Sequence, residues 1–202
     1  FKLFKKDKKA VIQEEIFEVE EKNVVVIGGG DTAMDCVRTS LREKANSVKC
    51  LYRRDAQNMP GSRKEYINAK EEGVDFEFYV SPKALVTDDK GNITAVEMVK
   101  TKLGEPDASG RQRVEEIPDS AYMVDADIVI FALGFDTVNY PFYANNGINT
   151  DKWGGIMIDA NYETSKPGVY AGGDCHRGAD LVVTAARDGR DAAKAIIKNF
   201  LA

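Results

Sequence analysis

The sequence predicts an α/β fold, a Rossmann-like domain with a parallel sheet plus an antiparallel hairpin. The first observation is a continuous β-branched run, Asn23–Ile27, which is typical of a strand buried on both faces. Three glycines follow this strand and lead directly into a helical pattern. The third observation is an alternating pattern on both sides of a polar turn at residues 88–92, which indicates a hairpin.

Composition and charge exclude several classes of protein. The 202 residues are enough for one large domain or two small ones, and 43% hydrophobic with 30% charged residues is close to the globular average. No apolar stretch approaches the roughly 18 residues that cross a bilayer. The net charge of −5, from 28 basic and 33 acidic residues, offers no attraction to nucleic acid or anionic lipid. We therefore expect neither a nucleic-acid nor a membrane partner.

Cysteine usage indicates a reducing compartment. Cys36, Cys50 and Cys175 are odd in number, form no C-x-x-C pair and accompany no secretory signal. The sequence therefore predicts no disulfide framework, no zinc site and a cytoplasmic location.

The first elements follow a charged segment. Residues 1–22 contain a basic cluster and then an acidic one, which favours a solvated leader. Residues 31–43 carry apolar side chains at helical spacing, which predicts a helix, and the pattern of Ser47–Tyr52 predicts a second strand. Together with the first strand they predict a βαβ unit of about 30 residues.

The middle of the chain predicts a third parallel strand and then the hairpin. Residues 62–72 are typical of a helix that Gly73 ends, and residues 75–80 alternate as a strand. The hairpin strands are predicted at residues 83–87 and 93–102.

The end of this block returns to buried structure. A polar loop at residues 104–113 leads to a strand near residues 114–117. Residues 127–132, with the sequence DIVIFA, predict the last strongly buried strand.

After Gly134 the pattern becomes irregular. Residues 139–150 predict irregular structure, residues 155–158 and 169–171 short strands, and residues 180–201 a long helix. The chain therefore divides into blocks 23–134 and 135–202 after the leader.

The glycine run fits the G-x-G-x-x-A pattern of a dinucleotide-binding turn. Gly28 permits a tight turn, Gly30 lets a pyrophosphate approach the backbone, and Ala33 lets the helix pack on the strand. Asp31 and Thr32 complete the turn, and the helix N-terminus supplies free N–H groups to the anion. The strand before and the helix after this turn favour dinucleotide binding over an ordinary turn.

The end of the second predicted strand decides which dinucleotide is preferred. An NAD site needs a carboxylate for the ribose 2′-OH, but this position holds Arg53 and Arg54. Guanidinium groups can bind a 2′-phosphate through charge-assisted bonds, so NADPH is preferred. Asp55 is the alternative partner for a 2′-OH, and Arg63 with Lys64 either adds positive charge or forms a solvated face.

A second candidate site lies near the C-terminus. Gly173 and Asp174 end a short strand, and a carboxylate there can accept hydrogen bonds from the ribityl chain of a flavin. Asp180 can cap a helix that begins at Leu181 and Val182, whose N-terminus stabilises negative charge on a reduced ring. Ala132, Leu133 and Gly134 form the short turn through which the chain passes between the two nucleotide-binding blocks.

These motifs together resemble the small (β) subunits of NADPH-dependent glutamate synthase and related flavoprotein oxidoreductases, among them the electron-entry part of dihydropyrimidine dehydrogenase. The resemblance covers nearly all of residues 23–201 and is carried by GGGDTA, YRRD, MPGSRKE, FALGF and GGDCHRGADLVVTAARDGRDAA. In that family NADPH reduces FAD, and electrons continue through iron–sulfur clusters to a partner. The resemblance implies a large (α) subunit as partner, a two-domain FAD/NAD(P)-binding fold, and glutamate formation from glutamine and 2-oxoglutarate.

The resemblance assigns roles to the candidate residues. Block 23–134 becomes the NADPH-binding domain and block 135–202 the C-terminal part of the FAD-binding domain. The implied pyrophosphate loop consists of Gly30, Asp31, Thr32 and Ala33, and the implied 2′-phosphate site consists of Arg53 and Arg54. The segment implied to lie along NADPH is Ala132, Leu133 and Gly134. The residues implied to face FAD are Gly173, Asp174, Leu181 and Val182. No side chain is expected to act as an acid–base catalyst, because the cofactors carry the chemistry.

Two features of the family are missing from this sequence. The first G-x-G-x-x-G of the FAD domain and the cysteine clusters that hold iron–sulfur centres do not occur before Gly28, and the chain starts at Phe1. We therefore expect a C-terminal fragment in which the FAD site is only half present and the iron–sulfur clusters belong to a missing N-terminal region. Such a fragment is expected to bind NADPH and to be inactive alone.

Other interpretations remain open. His176, the one histidine, favours a structural or flavin-edge role over catalysis, and Trp153 with the aromatic residues 140–143 favours packing over base stacking. The alternative functions are a non-catalytic nucleotide-binding or interaction module and an electron-entry module for another acceptor, such as a pyrimidine. A homo-oligomer is possible.

Overall fold

The computed structural model describes residues 18–106, 112–134, 137–138 and 140–201. Most of the expected leader 1–22 and part of the polar loop 104–113 lie outside the described residues. The chain forms two compact units, Phe1–Leu133 and Gly134–Ala202.

The first unit alternates strands and helices and then continues with strands. Its elements are β1 (Asn23–Ile27), α1 (Asp31–Arg42), β2 (Ser47–Tyr52), α2 (Arg63–Glu71), β3 (Asp75–Phe78), β4 (Val80–Thr87), β5 (Ile93–Pro106), β6 (Gln112–Glu116), β7 (Tyr122–Asp125) and β8 (Ile128–Phe131).

A parallel four-stranded sheet has the order β3-β2-β1-β8. Strand β1 lies inside this sheet and is covered on both faces. Val24 and Val26 belong to the core cluster that contains the buried side of α1, whereas Val25 and Ile27 pack with Met98 and its neighbours of the antiparallel strands. This two-sided burial explains why the strand is a continuous apolar run rather than an alternating one.

The register of the parallel sheet places three loops at one edge. Ile27 is paired with Leu51 on one side and with Phe131 on the other. Because the strands run parallel, the segments that follow β1, β2 and β8 leave the sheet at the same end. The carboxyl edge of the sheet therefore contains the glycine turn, the arginine pair and the start of the 132–134 segment. In this sheet β1 lies between β2, the next strand in sequence, and β8, a distant one.

An antiparallel set of strands packs on the other side of β1. Strand β5 pairs with β4, β6 and β7. The hairpin prediction is confirmed, although β4 begins at Val80 and β5 continues to Pro106. The predicted strand 75–80 is wrong in its end, because Tyr79 adopts a left-handed conformation (φ 59°) that separates β3 from β4. Strand β7 was not predicted.

The second unit contains three helices in its described residues: α3 (Pro141–Asn145), α4 (Asp174–Arg177) and α5 (Val182–Leu201). The predicted irregular segment 139–150 thus contains α3, and the helix predicted from residue 180 begins two residues later. The predicted strands 155–158 and 169–171 are only isolated bridges, among them Thr150 with Ile156 and Glu163 with Tyr170.

A carboxylate side chain fixes one of the turns of the second unit. Asp151 accepts hydrogen bonds from the backbone N–H groups of Trp153 and Gly155, at 2.8 and 2.9 Å. Such bonds fix a turn locally, so the backbone does not need a strand partner. Within the described residues, none of the helices is long and apolar enough to cross a membrane.

Candidate functional site

Gly28 is required by the contact between β1 and β8. Its φ is +150°, and a Cβ at this position would lie 2.2 Å from the carbonyl oxygen of Ala132. The sulfur of Cys50 lies 3.4 Å from the Gly28 carbonyl oxygen, beneath the turn, and burial raises the pKa of this thiol to about 12. The beginning of the turn is therefore held from two strands.

Gly30 is open, in contrast to Gly28. In the described part of the chain, no heavy atom lies within 4 Å of the position that a Cβ would take. Helix α1 follows with no capping bond from any described side chain, and its first helical bond joins Met34 N to Gly30 O at 3.2 Å. The backbone N–H groups of residues 31–33 precede that bond, so they are available to an anion. This cradle fits the pyrophosphate of a dinucleotide.

The side chains of the turn have different environments. Ala33 is fully buried against the sheet, which fits its predicted packing role, and Thr32 is exposed. Asp31 is exposed, but its Oδ1 accepts a hydrogen bond from the backbone N–H of Ser62 at 2.7 Å. The Asp31 carboxylate thus joins the turn to the segment before α2.

Arg53 and Arg54 differ in their partners. Arg53 is exposed, and its carbonyl oxygen accepts a bond from the Thr101 hydroxyl at 3.0 Å. Arg54 is half-buried and donates from Nη2 to the Gln112 carbonyl oxygen at 2.8 Å. Its Nε is buried with no hydrogen-bond partner among the described residues. The structure therefore leaves the Arg53 head more accessible and holds Arg54 against the start of β6.

Asp55 is occupied by its own turn. Its carboxylate accepts bonds from the backbone N–H groups of Gln57 and Asn58, the Asn58 amide and the Tyr79 hydroxyl. These bonds, with those of Asn58 the most important, lower the pKa of Asp55. This arrangement disfavours Asp55 as the partner of a ribose 2′-OH.

The segment after β8 combines a buried and an exposed residue. Ala132 is buried against Gly28, Leu133 is 69% exposed, and Gly134 has a φ of +88°. The backbone of Ala132 thus reaches the glycine turn directly, whereas the Leu133 side chain is free to contact another surface.

The second unit contains a cavity of about 510 Å³ beside the second glycine pair. Its lining includes four of the predicted flavin-site residues: Gly173, Asp174, Asp180 and Val182. Asp180 accepts a bond from Leu181 N at 2.7 Å, which, with Thr184, lowers the pKa of its carboxyl. Leu181 and Val182 are 64% and 84% exposed. The cavity brings these residues together and fits a polar chain next to glycine backbone.

Asp188, to which the sequence motifs assign no role, is a buried acid of this unit. Its side chain is completely buried, and it accepts bonds from Arg177 at 2.8 and 2.6 Å and from Gly173 N at 2.9 Å. Arg177, then the Gly173 N–H, and last Tyr162 lower the pKa of this carboxyl to about 2. The sequence feature that could have identified Asp188 is an acidic residue on the otherwise apolar face of a long helix.

His176 and the aromatic residues occupy structural or surface positions. His176 is half-buried, with Nδ1 2.9 Å from the Ile156 carbonyl oxygen. Tyr140 and Tyr143 form an edge-on pair with centroids 5.9 Å apart. Trp153 is 72% exposed, with the Lys152 ammonium 4.9 Å from its ring centroid, so its expected packing role is wrong within this unit.

The parallel sheet, the open glycine turn at its carboxyl edge and the arginines beside it define a dinucleotide-binding protein. The chain belongs to the pyridine nucleotide-disulphide oxidoreductase family, which it matches over residues 2–189. The predicted fold class and the resemblance to an FAD/NAD(P) oxidoreductase are therefore confirmed.

Two curated relatives come from Escherichia coli (strain K12). The chain is 52% identical over 179 residues to "Putative oxidoreductase AegA" and 50% identical over 188 residues to "Glutamate synthase [NADPH] small chain". These matches cover 87% and 91% of this chain but 27% and 40% of the relatives. The chain thus spans less than half the length of each of these two relatives.

A solved structure with the same fold is the thioredoxin reductase of T. acidophilum. It superposes with a TM-score of 0.71 at 22% identity and covers 91% of this chain and 54% of that chain. This similarity establishes the arrangement of strands and helices.

Proposed function

We propose that this chain is the NADPH-binding part of a flavin-dependent oxidoreductase of the glutamate synthase type. The observation that carries the proposal is the open, uncapped glycine turn at the carboxyl edge of the parallel sheet, with an exposed arginine at the end of the neighbouring strand. The 50% identity to a glutamate synthase small chain supports the same function.

The first unit binds and orients the electron donor. Gly30 gives the pyrophosphate access to the backbone, and the N–H groups at the start of α1 donate to it. Arg53 binds the 2′-phosphate through charge-assisted bonds, while Arg54, held by Gln112, supplies charge beside it. Ala132, Leu133 and Gly134 lie along the remaining part of NADPH.

The second unit contributes to the flavin site. Gly173 leaves room for the flavin diphosphate, Asp174 accepts hydrogen bonds from the ribityl hydroxyls, and the backbone at Leu181 and Val182 faces the ring. Asp180 fixes the start of α5 through its bond to Leu181. When both groups are bound, the nicotinamide supplies a hydride and FAD accepts it, so this chain needs no acid–base side chain.

The later steps belong to the larger protein. We propose that iron–sulfur clusters in another segment pass the electrons to a large (α) subunit, and that the 202-residue chain alone binds NADPH without turnover. Reduction of added FAD, followed anaerobically by its visible absorbance, would show turnover by the chain itself and would contradict this part of the proposal.

A titration with NADPH and NADH tests the donor assignment. We expect the wild-type chain to bind NADPH more tightly, and Arg53→Ala with Arg54→Ala to remove about 1.5–3 kcal/mol of this preference, the range for bonds to charged groups. Nicotinamide fluorescence gives both dissociation constants. Lys90→Ala, a loss of charge on the exposed β4–β5 turn, is the matched control and should change neither constant. Equal binding of NADH and NADPH by the wild type would refute the assignment.

A second candidate function differs in the final acceptor. The chain is as similar to a putative oxidoreductase as to a glutamate synthase small chain, which favours a general electron-entry module for an acceptor such as a pyrimidine. Binding of the purified chain to a glutamate synthase large subunit, measured by analytical ultracentrifugation, supports the first function. Absence of that complex, with NADPH binding intact, supports the second.

A further inference from the structure

The glycine turn is attached to helix α2 by two hydrogen bonds. The backbone N–H of Gly61 donates to the Gly29 carbonyl oxygen at 3.0 Å, and that of Ser62 donates to Asp31 Oδ1 at 2.7 Å. A Cβ on Gly61 would lie 3.0 Å from both Gly29 O and Gly30 C. The segment before α2 therefore rests directly on the turn.

The position of Asp31 is unfavourable for a direct contact with the cofactor. It is the first residue of α1, where a pyrophosphate is expected, and a carboxylate repels that anion. Its bond to Ser62 gives the negative charge a different partner, at the start of the neighbouring helix.

The same bond fixes the location of Arg63. Ser62 is the N-cap of α2, so its placement determines where the first helical residue begins. The Arg63 guanidinium lies 4.8 Å from the centroid of the Tyr66 ring, and Tyr66 is buried in the core. Arg63 is thus positioned from two sides.

A cavity of about 310 Å³ lies beside this arginine. Arg63 is the charged residue of its lining; the others are Ala56, Gln57, Met59, Gly61 and Tyr66. Gly61 connects the cavity to the glycine turn, so an anionic group of a nucleotide bound at the turn can reach a site with one positive charge.

We propose that Asp31 is a positioning residue for cofactor specificity: it does not bind the pyrophosphate but holds Ser62, and so places Arg63 for the 2′-phosphate of NADPH. The inference rests on the proposed NADPH function. It predicts that the Asp31–Ser62 bond controls the preference for NADPH over NADH, whereas the affinity for NADH depends little on it.

Two substitutions break this bond from opposite sides. Asp31→Ala removes the acceptor. Ser62→Pro replaces the donor hydrogen with the ring Cδ, which also displaces the carboxylate, so the bond is lost while the Asp31 charge is retained. The φ of Ser62, −58°, already suits proline. We expect each to lower the ratio of the NADH to the NADPH dissociation constant about tenfold, the equivalent of one modest hydrogen bond. The double variant should lower the ratio no further, because both changes remove the same bond.

Two further variants separate positioning from charge. Asp31→Asn keeps an acceptor oxygen and should restore most of the ratio. Asp35→Ala removes an exposed acid from the same helix and should leave the ratio unchanged. If Asp31 acts only through its charge, Asp31→Ala tightens both cofactors equally and Ser62→Pro has no effect, which overturns the inference.

The outcomes also separate this inference from the proposed function. In one outcome, the wild-type chain prefers NADPH and Arg53→Ala removes that preference, but Asp31→Ala and Ser62→Pro keep it. This result retains the proposed function and refutes the positioning role of Asp31. A wild-type chain without preference refutes both. Circular dichroism identifies any unfolded variant; if Asp31→Ala does not fold, Ser62→Pro and Asp31→Asn decide the question.

Discussion

Gly28 and Gly30 stand two residues apart in one turn but meet different constraints. A side chain at Gly28 would collide with Ala132 and adopt an unfavourable φ, whereas Gly30 faces open space with a φ of −88°. The same residue type is therefore required by packing at one position, whereas at the other we propose that it gives a ligand access to the backbone.

We expect alanine to separate these two roles. Gly28→Ala should lower the free energy of unfolding by about 2–4 kcal/mol, because it combines backbone strain with a steric clash. Gly30→Ala should change it by less than about 0.5 kcal/mol but weaken NADPH binding at least about tenfold. Urea denaturation and a fluorescence titration measure the two effects. Normal NADPH binding by Gly30→Ala would contradict the pyrophosphate role of this glycine.

Asp188 provides a second prediction at the residue scale. Its folded-state pKa of about 2 lies below the value of about 3.9 for an unfolded aspartate. The carboxylate therefore stabilises the fold fully above about pH 4, and this contribution is lost as the pH falls toward 2.

Asp188→Asn should consequently lower the melting temperature at pH 7 by about 5 °C or more, because Arg177 loses the negative charge of its buried partner. The difference from wild type should shrink as the pH falls below about 4. Asp191→Asn, whose ion pairs lie at the surface of the same helix, is the control and should have a smaller effect. Equal melting temperatures for Asp188→Asn and wild type at pH 7 would show that the ion pair is not stabilising.

Among the elements, the local sequence pattern predicted a strand or helix correctly where the residues of that element alone indicate its type and bounds. β1 and β2 have the predicted bounds. A β-branched run and the glycine turn define β1 without reference to distant residues, and β2 follows the helix of the same βαβ unit. β7 was missed, since its four residues depend on pairing with β5, which precedes it by many residues. Helix α4 has four residues, too few for a periodic pattern.

For the candidate site too, local features were predictable from the sequence and long-range contacts were not. The glycine turn and the arginine pair follow from residue types at fixed positions after strands. The bonds from Ser62 to Asp31 and from Arg54 to Gln112 connect segments 31 and 58 residues apart, and nothing in the local sequence indicates such pairings.

At the scale of the whole molecule, the proposed function predicts that NADPH binding is coupled to folding of the first unit. A ligand at about one hundred times its dissociation constant stabilises the native state by about 2.7 kcal/mol. We expect hydrogen exchange to slow most at residues 28–33 and 61–63, where the turn and its attached segment meet. Exchange that stays unchanged in this region at saturating NADPH would place the binding site elsewhere.

The three cysteines differ in solvent accessibility, and this difference allows selective labelling with a fluorescent dye. Cys175 in the second unit is exposed, Cys36 is half-buried with its pKa raised mainly by burial, and Cys50 is buried with its thiol protonated. A maleimide dye reacts with accessible thiolate, so brief labelling of the native chain modifies Cys175 first. The natural sequence thus permits one dye to be attached next to Asp174 while the glycine turn of the first unit remains unmodified.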